Sequence, residues 1–193
     1  MASSSRPRER TSERAAQSPE PRASAEGTST TITLSSRSPE DADPDHSAAF
    51  WSPIAGVRAA VDTMFGDLDA ETVDAVRMTA GELAENVIKY GEPVDGVTGH
   101  ISISRTNDAV EIRTVNRMSD STETADLFER LRRIGEADDL RAQFVDRMTQ
   151  IIDEPNQHST ALGLLRIAYE GLFKLSCSYA NEMMTVVATR SIR

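Results

Sequence analysis

Cysteine is almost absent from this chain of 193 residues. The single Cys177 has no partner for an internal disulfide, and no cluster of Cys and His has the spacing of a metal site. Long apolar runs are also absent, since no stretch approaches the roughly 18 residues that a membrane helix needs. The Arg- and Ser-rich start lacks the apolar segment of a secretory signal. We therefore expect a cytoplasmic protein without a membrane segment.

Positive charge is scarce as well. The chain has 21 Lys and Arg against 31 Asp and Glu, a net charge of −10, and only 5% of its residues are aromatic. Such an acidic surface repels nucleic-acid phosphates, and no basic patch with interleaved aromatic residues is found. The composition therefore predicts that the chain has no nucleic-acid partner.

Large apolar residues are nearly missing from residues 1–48, a segment rich in Pro, Ser, Thr and Arg. A segment of this composition cannot bury enough surface to offset the entropy lost on ordering. We therefore predict a disordered tail over residues 1–48 and one folded domain over residues 49–193. The short run at residues 30–34 offers an edge strand as an alternative for that part of the tail.

The rest of the chain shows clear periodic patterns. Apolar residues at helical spacing predict helices near residues 50–65, 70–90, 126–134 and 140–151, and a fifth from Ser159 or Thr160 to a stop at Gly171. Strict alternation predicts two hairpins, one joining residues 99–105 to 110–116 and one joining 173–179 to 184–188. Alternating strands expose one sheet face and pack the other on helices. The order predicts an α/β fold, a two-layer sandwich of an antiparallel-rich mixed sheet packed on helices.

The most informative motif lies on the second predicted helix, where Glu82, Asn86 and Lys89 follow one another at helical spacing beside an apolar stripe. A carboxylate and an amide supply oxygen ligands for a metal ion, and an ammonium group binds phosphate. This combination is what a magnesium–nucleotide site requires of a helix. The alternative is a solvated helix face with a Glu–Lys pairing worth about 0.2–0.5 kcal/mol.

With these elements in this order, residues 50–190 resemble the Bergerat-fold (GHKL) ATPases, which include histidine-kinase catalytic domains. The resemblance is closest to the anti-sigma-factor serine kinases. It rests on the Glu-x-x-x-Asn box at Glu82 and Asn86 and on a late Gly-containing box with Thr160 and Gly163. It implies an ATP/Mg site in which Glu82 acts in catalysis, Asn86 binds Mg, and Lys89, Thr160 and Gly163 approach phosphate.

The adenine box departs from the family pattern. Asn116 stands where the family has Asp, and Arg117 and Met118 follow without the two expected glycines. The amide of Asn116 can still form hydrogen bonds with a purine, but the loss of the Asp charge weakens that contact by about 1 kcal/mol. Side chains in place of glycines obstruct the close backbone approach that a purine needs. We therefore expect Asn116 to be a weakened adenine contact and ATP/Mg binding to be weak or lost.

Three functions remain in competition. The leading hypothesis is a non-catalytic or weakly nucleotide-binding regulator of bacterial signal transduction. The resemblance implies a sigma factor, kinase, receiver or phosphatase as its partner, and leaves a homodimer open. The predicted helices at 122–153 are in the position of the family's ATP lid. They would form a fixed docking surface or cover the former nucleotide pocket.

The alternatives are enzymatic. The first is an ATP-dependent Ser/Thr protein kinase of the anti-sigma type, with Glu82 as the catalytic carboxylate. The second is a histidine phosphotransfer protein, which requires an exposed His on a helix. His100 begins a predicted strand and His158 lies in a predicted loop, so the sequence does not favour it.

Overall fold

The computed structural model describes residues 27–35, 46–119, 121–153 and 162–192, and for residues 46–52 and 123 it describes the backbone alone. Within these residues the chain forms five strands and five helices. In chain order they are β1 (Thr28–Leu34), α1 (His46–Phe65), α2 (Ala70–Tyr90), β2 (Gly99–Arg105), β3 (Ala109–Arg117), α3 (Thr122–Gly135), α4 (Leu140–Asp153), α5 (Leu162–Tyr169), β4 (Lys174–Ala180) and β5 (Met183–Ser191).

One five-stranded sheet has the order β1-β2-β3-β5-β4. Both predicted hairpins are confirmed, and they meet where β3 pairs with β5 along nine residues. Every pairing in the described sheet is antiparallel, so the prediction of a mixed sheet was wrong in that detail. The β4–β5 turn has positive φ at Asn181 and Glu182 (53° and 61°), as a tight two-residue turn between twisted strands requires.

The predicted two-layer arrangement is confirmed. Alternate residues of β2 and β3 are buried against α2, which is the central helix of the second layer and also contacts α1 and α5. The Asp69 carboxylate caps α2 by accepting from the Thr72 backbone N–H at 2.9 Å. The largest fully buried side chains come from both layers: Phe65, Leu34, Ile54, Leu83, Ile101, Ile103, Ile112, Ile167 and Met184.

The strand offered as an alternative within residues 1–48 is present. β1 pairs with β2 over seven positions, from Thr28 opposite Arg105 to Leu34 opposite Gly99, and Leu34 is fully buried. The folded part of the chain therefore starts before the predicted boundary at residue 49. A short strand can form at an existing sheet edge because the edge supplies hydrogen bonds and burial. The composition of the strand itself does not predict this gain.

The start of α1 differs from prediction, whereas the end of α5 agrees with it. α1 begins at His46 rather than near residue 50. At the end of α5 the expected stop at Gly171 is correct, but the left-handed conformation falls on Leu172, with φ of 55°. Gly171 is needed for space, because a Cβ there would lie 2.7 Å from the Ile167 carbonyl oxygen.

Candidate functional site

The three residues that the sequence singled out on α2 lie in two different environments. Asn86 and Lys89 line a cavity of about 270 Å³ whose other walls come from the end of β3 and from α3 and α5. Glu82, one turn earlier on the same helix, is not among the residues that line it. The structure thus brings together two of the three residues that the sequence singled out on this helix.

Glu82 is instead held by α5. Its Oε1 accepts a hydrogen bond from Nη1 of Arg166 at 2.8 Å, and Arg166 also binds the Glu170 carboxylate at 3.1 Å. Burial raises the pKa of the Glu82 carboxyl above its usual range, and the Arg166 charge opposes this shift. One of its two carboxylate oxygens is bound by Arg166, and Glu82 does not line the cavity that Asn86 and Lys89 share.

Gly163 lies in the first turn of α5, directly against Glu82. A Cβ at this position would overlap Oε2 of Glu82, so any other residue here would require the Glu82 side chain to move. The structure thus places Gly163 beside the Glu82 carboxylate, and its expected phosphate contact stays a prediction. Thr160, the other residue of the late box, lies outside the described residues.

Asn116 is separated from the cavity that Asn86 lines. It is 5% exposed, and its Nδ2 donates to the Arg117 carbonyl at 3.4 Å. It borders a different depression, beside the loop after α2 and the β4–β5 turn. Asn116 is therefore a buried side chain on the helix-facing side of β3, and it does not line the cavity at Asn86 and Lys89.

Met118 occupies the cavity wall at the end of β3. Its backbone is fixed from two sides, since its N–H donates to the Glu182 carbonyl at 2.9 Å and its carbonyl accepts from the Tyr179 hydroxyl at 3.0 Å. Arg117 points elsewhere and pairs with Glu182. Of the two side chains expected to obstruct a purine, only Met118 lies at this cavity.

α3 and α4 are regular helices, as predicted. α3 buries Leu131 and Ile134, and α4 packs on α5 through the Phe144 and Tyr169 rings, whose centroids are 5.1 Å apart. Phe128 belongs to the apolar pattern that predicts α3 and would make it an anchor of the packed face, but its side chain is 40% exposed. The period of α3 places residue 128 toward the edge of its buried face rather than at its centre.

Two arginines at the site were not found from the sequence. Arg166 binds Glu82, and Arg130 lines the cavity beside Asn86 and Lys89. Arg166 lies three residues after Gly163, so the two share one face of α5. That spacing was a usable signal, but the facing helix could not be identified without the fold.

Comparison with known proteins adds no assignment: no protein-family model matches the chain, and no curated protein matches it. Within residues 27–35, 46–119, 121–153 and 162–192, no group of three or more His, Cys, Asp and Glu side chains is placed to hold a metal ion. No helix in that part of the chain has the length and apolar character to cross a membrane.

The residues present fit a bound Mg–ATP only in part. Asn86 and Lys89 fit the phosphate end, because an amide oxygen and an ammonium face the same cavity. At the purine end, Met118 forms the wall, and Asn116 is buried with its Nδ2 directed to the Arg117 carbonyl.

Proposed function

We propose that this protein is a non-catalytic regulator of bacterial signal transduction that acts by contact with another protein, on a Bergerat-like scaffold whose nucleotide site has been remodelled. The observation that carries the proposal is the ion pair between Glu82 and Arg166. The carboxylate that the resemblance assigns to catalysis is bound to an arginine of the neighbouring helix, with Gly163 closing the space beside it.

The surface of α4 supports action through protein contact. No residue of α4 is buried, and Val145, Met148 and Ile152 form an apolar stripe on its exposed side, with exposures of 51%, 37% and 73%. Contiguous exposed apolar residues are uncommon on monomeric proteins and are typical of interaction surfaces. The partner class stays the one implied by the resemblance: a sigma factor, kinase, receiver or phosphatase.

A second candidate is the Ser/Thr kinase of the anti-sigma type. It is favoured by one specific observation, the convergence of Asn86 and Lys89 on a single cavity. In that case Asn86 would hold Mg and Lys89 would contact phosphate. Glu82 would first have to separate from Arg166.

Calorimetric titration of the full chain with Mg-ATP distinguishes the two candidates. We expect no saturable binding in the micromolar range, with the same result for Asn86→Ala. Asn107→Ala, an amide change in the β2–β3 turn, serves as the matched control. Micromolar binding that Asn86→Ala abolishes and Asn107→Ala preserves would refute the regulator proposal in favour of the kinase.

A further inference from the structure

A second depression lies next to the cavity at Asn86. It has a volume of about 530 Å³ and is lined by α3, α4 and α5, and we name it the α3–α4 groove. Its floor is apolar and consists of Ile134, Leu164 and Leu165. Since Leu164 also lines the cavity at Asn86, the two depressions are neighbours that share one wall.

The walls of the α3–α4 groove are basic. Arg130 and Arg133 project from α3 and Arg147 from α4, whereas Asp146 is the one acidic residue in its lining. Arg133 also binds Glu129 at 3.0 Å, so part of this positive charge is already compensated. Arg130 forms no ion pair with any side chain that the structure describes, so its charge is available to an incoming anion. Arg clusters bind carboxylates and phosphates through paired hydrogen bonds.

Two amides favour a peptide over a simple anion. Gln143 and Gln150 lie along the α4 wall, and Gln150 accepts a hydrogen bond from Arg147 at 2.9 Å. A glutamine side chain both donates and accepts, so it can bond the N–H and C=O groups of an extended or helical segment. An apolar floor between polar walls is also the arrangement that receives apolar anchors of a docked segment. A nucleic acid is disfavoured because the rest of the surface repels phosphate.

We propose that the α3–α4 groove binds an acidic peptide segment of a partner protein, with the carboxylates on the arginine walls and an apolar side chain over Leu164 and Leu165. This inference rests on the proposed function in so far as the partner is a protein. It adds the surface that the partner contacts and the chemistry of the segment that it presents.

A peptide-display selection on the full-length protein tests this inference without knowledge of the partner. A library of random peptides about 16 residues long is selected on the immobilised chain, and enriched peptides are synthesised with a fluorescent label. We expect an excess of Asp and Glu with at least one large apolar residue. Fluorescence anisotropy then compares their affinities for the wild type, for Arg130→Glu/Arg133→Glu, and for Arg141→Glu/Lys174→Glu.

The last variant is the matched control, because it makes the same change of net charge at exposed residues outside the groove. We expect the groove variant to bind about tenfold or more weakly and the control to stay within about twofold, with affinity falling as salt rises. Thermal unfolding of each variant shows whether it is folded.

Several outcomes would overturn the inference. They are the absence of any enriched peptide, enrichment without an acidic excess, equal weakening by both variants, or complete displacement of the peptide by millimolar inorganic phosphate. Self-association of the chain that only the groove variant abolishes would assign the groove to a second copy instead. A negative peptide-display result would not change the Mg-ATP result. Conversely, micromolar Mg-ATP binding would refute the regulator proposal and would leave a positive peptide result valid.

Discussion

At the residue scale, Glu82 is subject to two opposing effects. Partial burial favours its neutral form, and the Arg166 guanidinium favours its charged form. The side chain of Glu82 is 23% exposed and that of Arg166 is 39% exposed, so solvent screens the pair only in part. The sequence supplies both residues, but nothing local to either one indicates that they meet.

Arg166→Met should lower the free energy of unfolding at pH 7 by about 1–2 kcal/mol, because the charged Glu82 loses its partner. The folded-state pKa of Glu82 lies above its ordinary 4.5 and rises further without Arg166. Since the neutral carboxyl needs no cation, the loss should shrink as the pH falls toward 4.5. Urea unfolding at several pH values measures it. The same substitution in a Glu82→Gln background should cost less, and equal costs in both backgrounds would show that the pair contributes nothing.

Leu172 has a backbone conformation that is unfavourable for its side chain. It is an apolar residue that is 61% exposed, and its φ of 55° lies in the left-handed region. A side chain with a Cβ pays roughly 1–2 kcal/mol for that conformation, and glycine does not. We expect Leu172→Gly to raise the free energy of unfolding by about 0.5–1 kcal/mol, after the larger backbone entropy of unfolded glycine is subtracted.

Leu172→Ala is the control for this prediction, because it removes the apolar side chain and keeps the Cβ. Denaturant unfolding of both variants separates the two effects. A gain of the same size in Leu172→Ala would mean that relief of the backbone strain is not the cause.

At the scale of elements, periodicity predicted most of what formed. Strict alternation marked both hairpins, and helical spacing marked the five helices, because these patterns arise from the geometry of each element itself. The exposed position of Phe128 shows the limit of this approach. A helix pattern gives the direction of the buried face, but the width of that face depends on which neighbours cover it.

α3 also contains a charge cluster of its own. Glu129 binds Arg132 and Arg133 at 2.8 and 3.0 Å, and these hydrogen bonds lower its pKa to about 2. The folded-state pKa is thus below the ordinary 4.5, so the cluster stabilises the folded protein above about pH 4.5 and the effect is lost as the pH falls to about 2.

We therefore predict that Glu129→Gln lowers the melting temperature at pH 6 and has progressively less effect as the pH falls from 4.5 to about 2. Thermal unfolding of the two proteins across this range gives the difference directly. A difference that stays constant with pH would show that the substitution acts through packing rather than through the carboxylate charge.

At the scale of the whole molecule, the sheet is completed by a strand from the segment that composition marks as a tail. β1 adds to the free edge of β2 and brings the fully buried Leu34 into the core. Leu34→Ala should lower the free energy of unfolding by about 2–4 kcal/mol, because a buried cavity replaces the lost side-chain atoms. Ser29→Ala, an exposed position on the same strand, should change it by less than about 0.5 kcal/mol.

Removal of residues from the start of the chain tests the contribution of β1 to stability in a second way. Removal of residues 1–26 should leave the unfolding free energy nearly unchanged, because their composition offers little apolar surface to bury. Removal of residues 1–35 should lower it by at least as much as Leu34→Ala. Equal stability of the two truncated proteins would show that β1 adds nothing to the fold.

The sequence by itself determined the helices, both hairpins and the two-layer packing, because each depends on the spacing of neighbouring apolar residues. It also named Asn86 and Lys89, which share a helix face and indeed line one cavity. Only the tertiary structure decided that Glu82 binds Arg166, 84 residues later in the chain, and that Asn116 is buried and does not line the cavity at Asn86. The packing of α5 on α2 and the pairing of β1 with β2 join residues far apart in the chain, and such contacts leave no local period in the sequence.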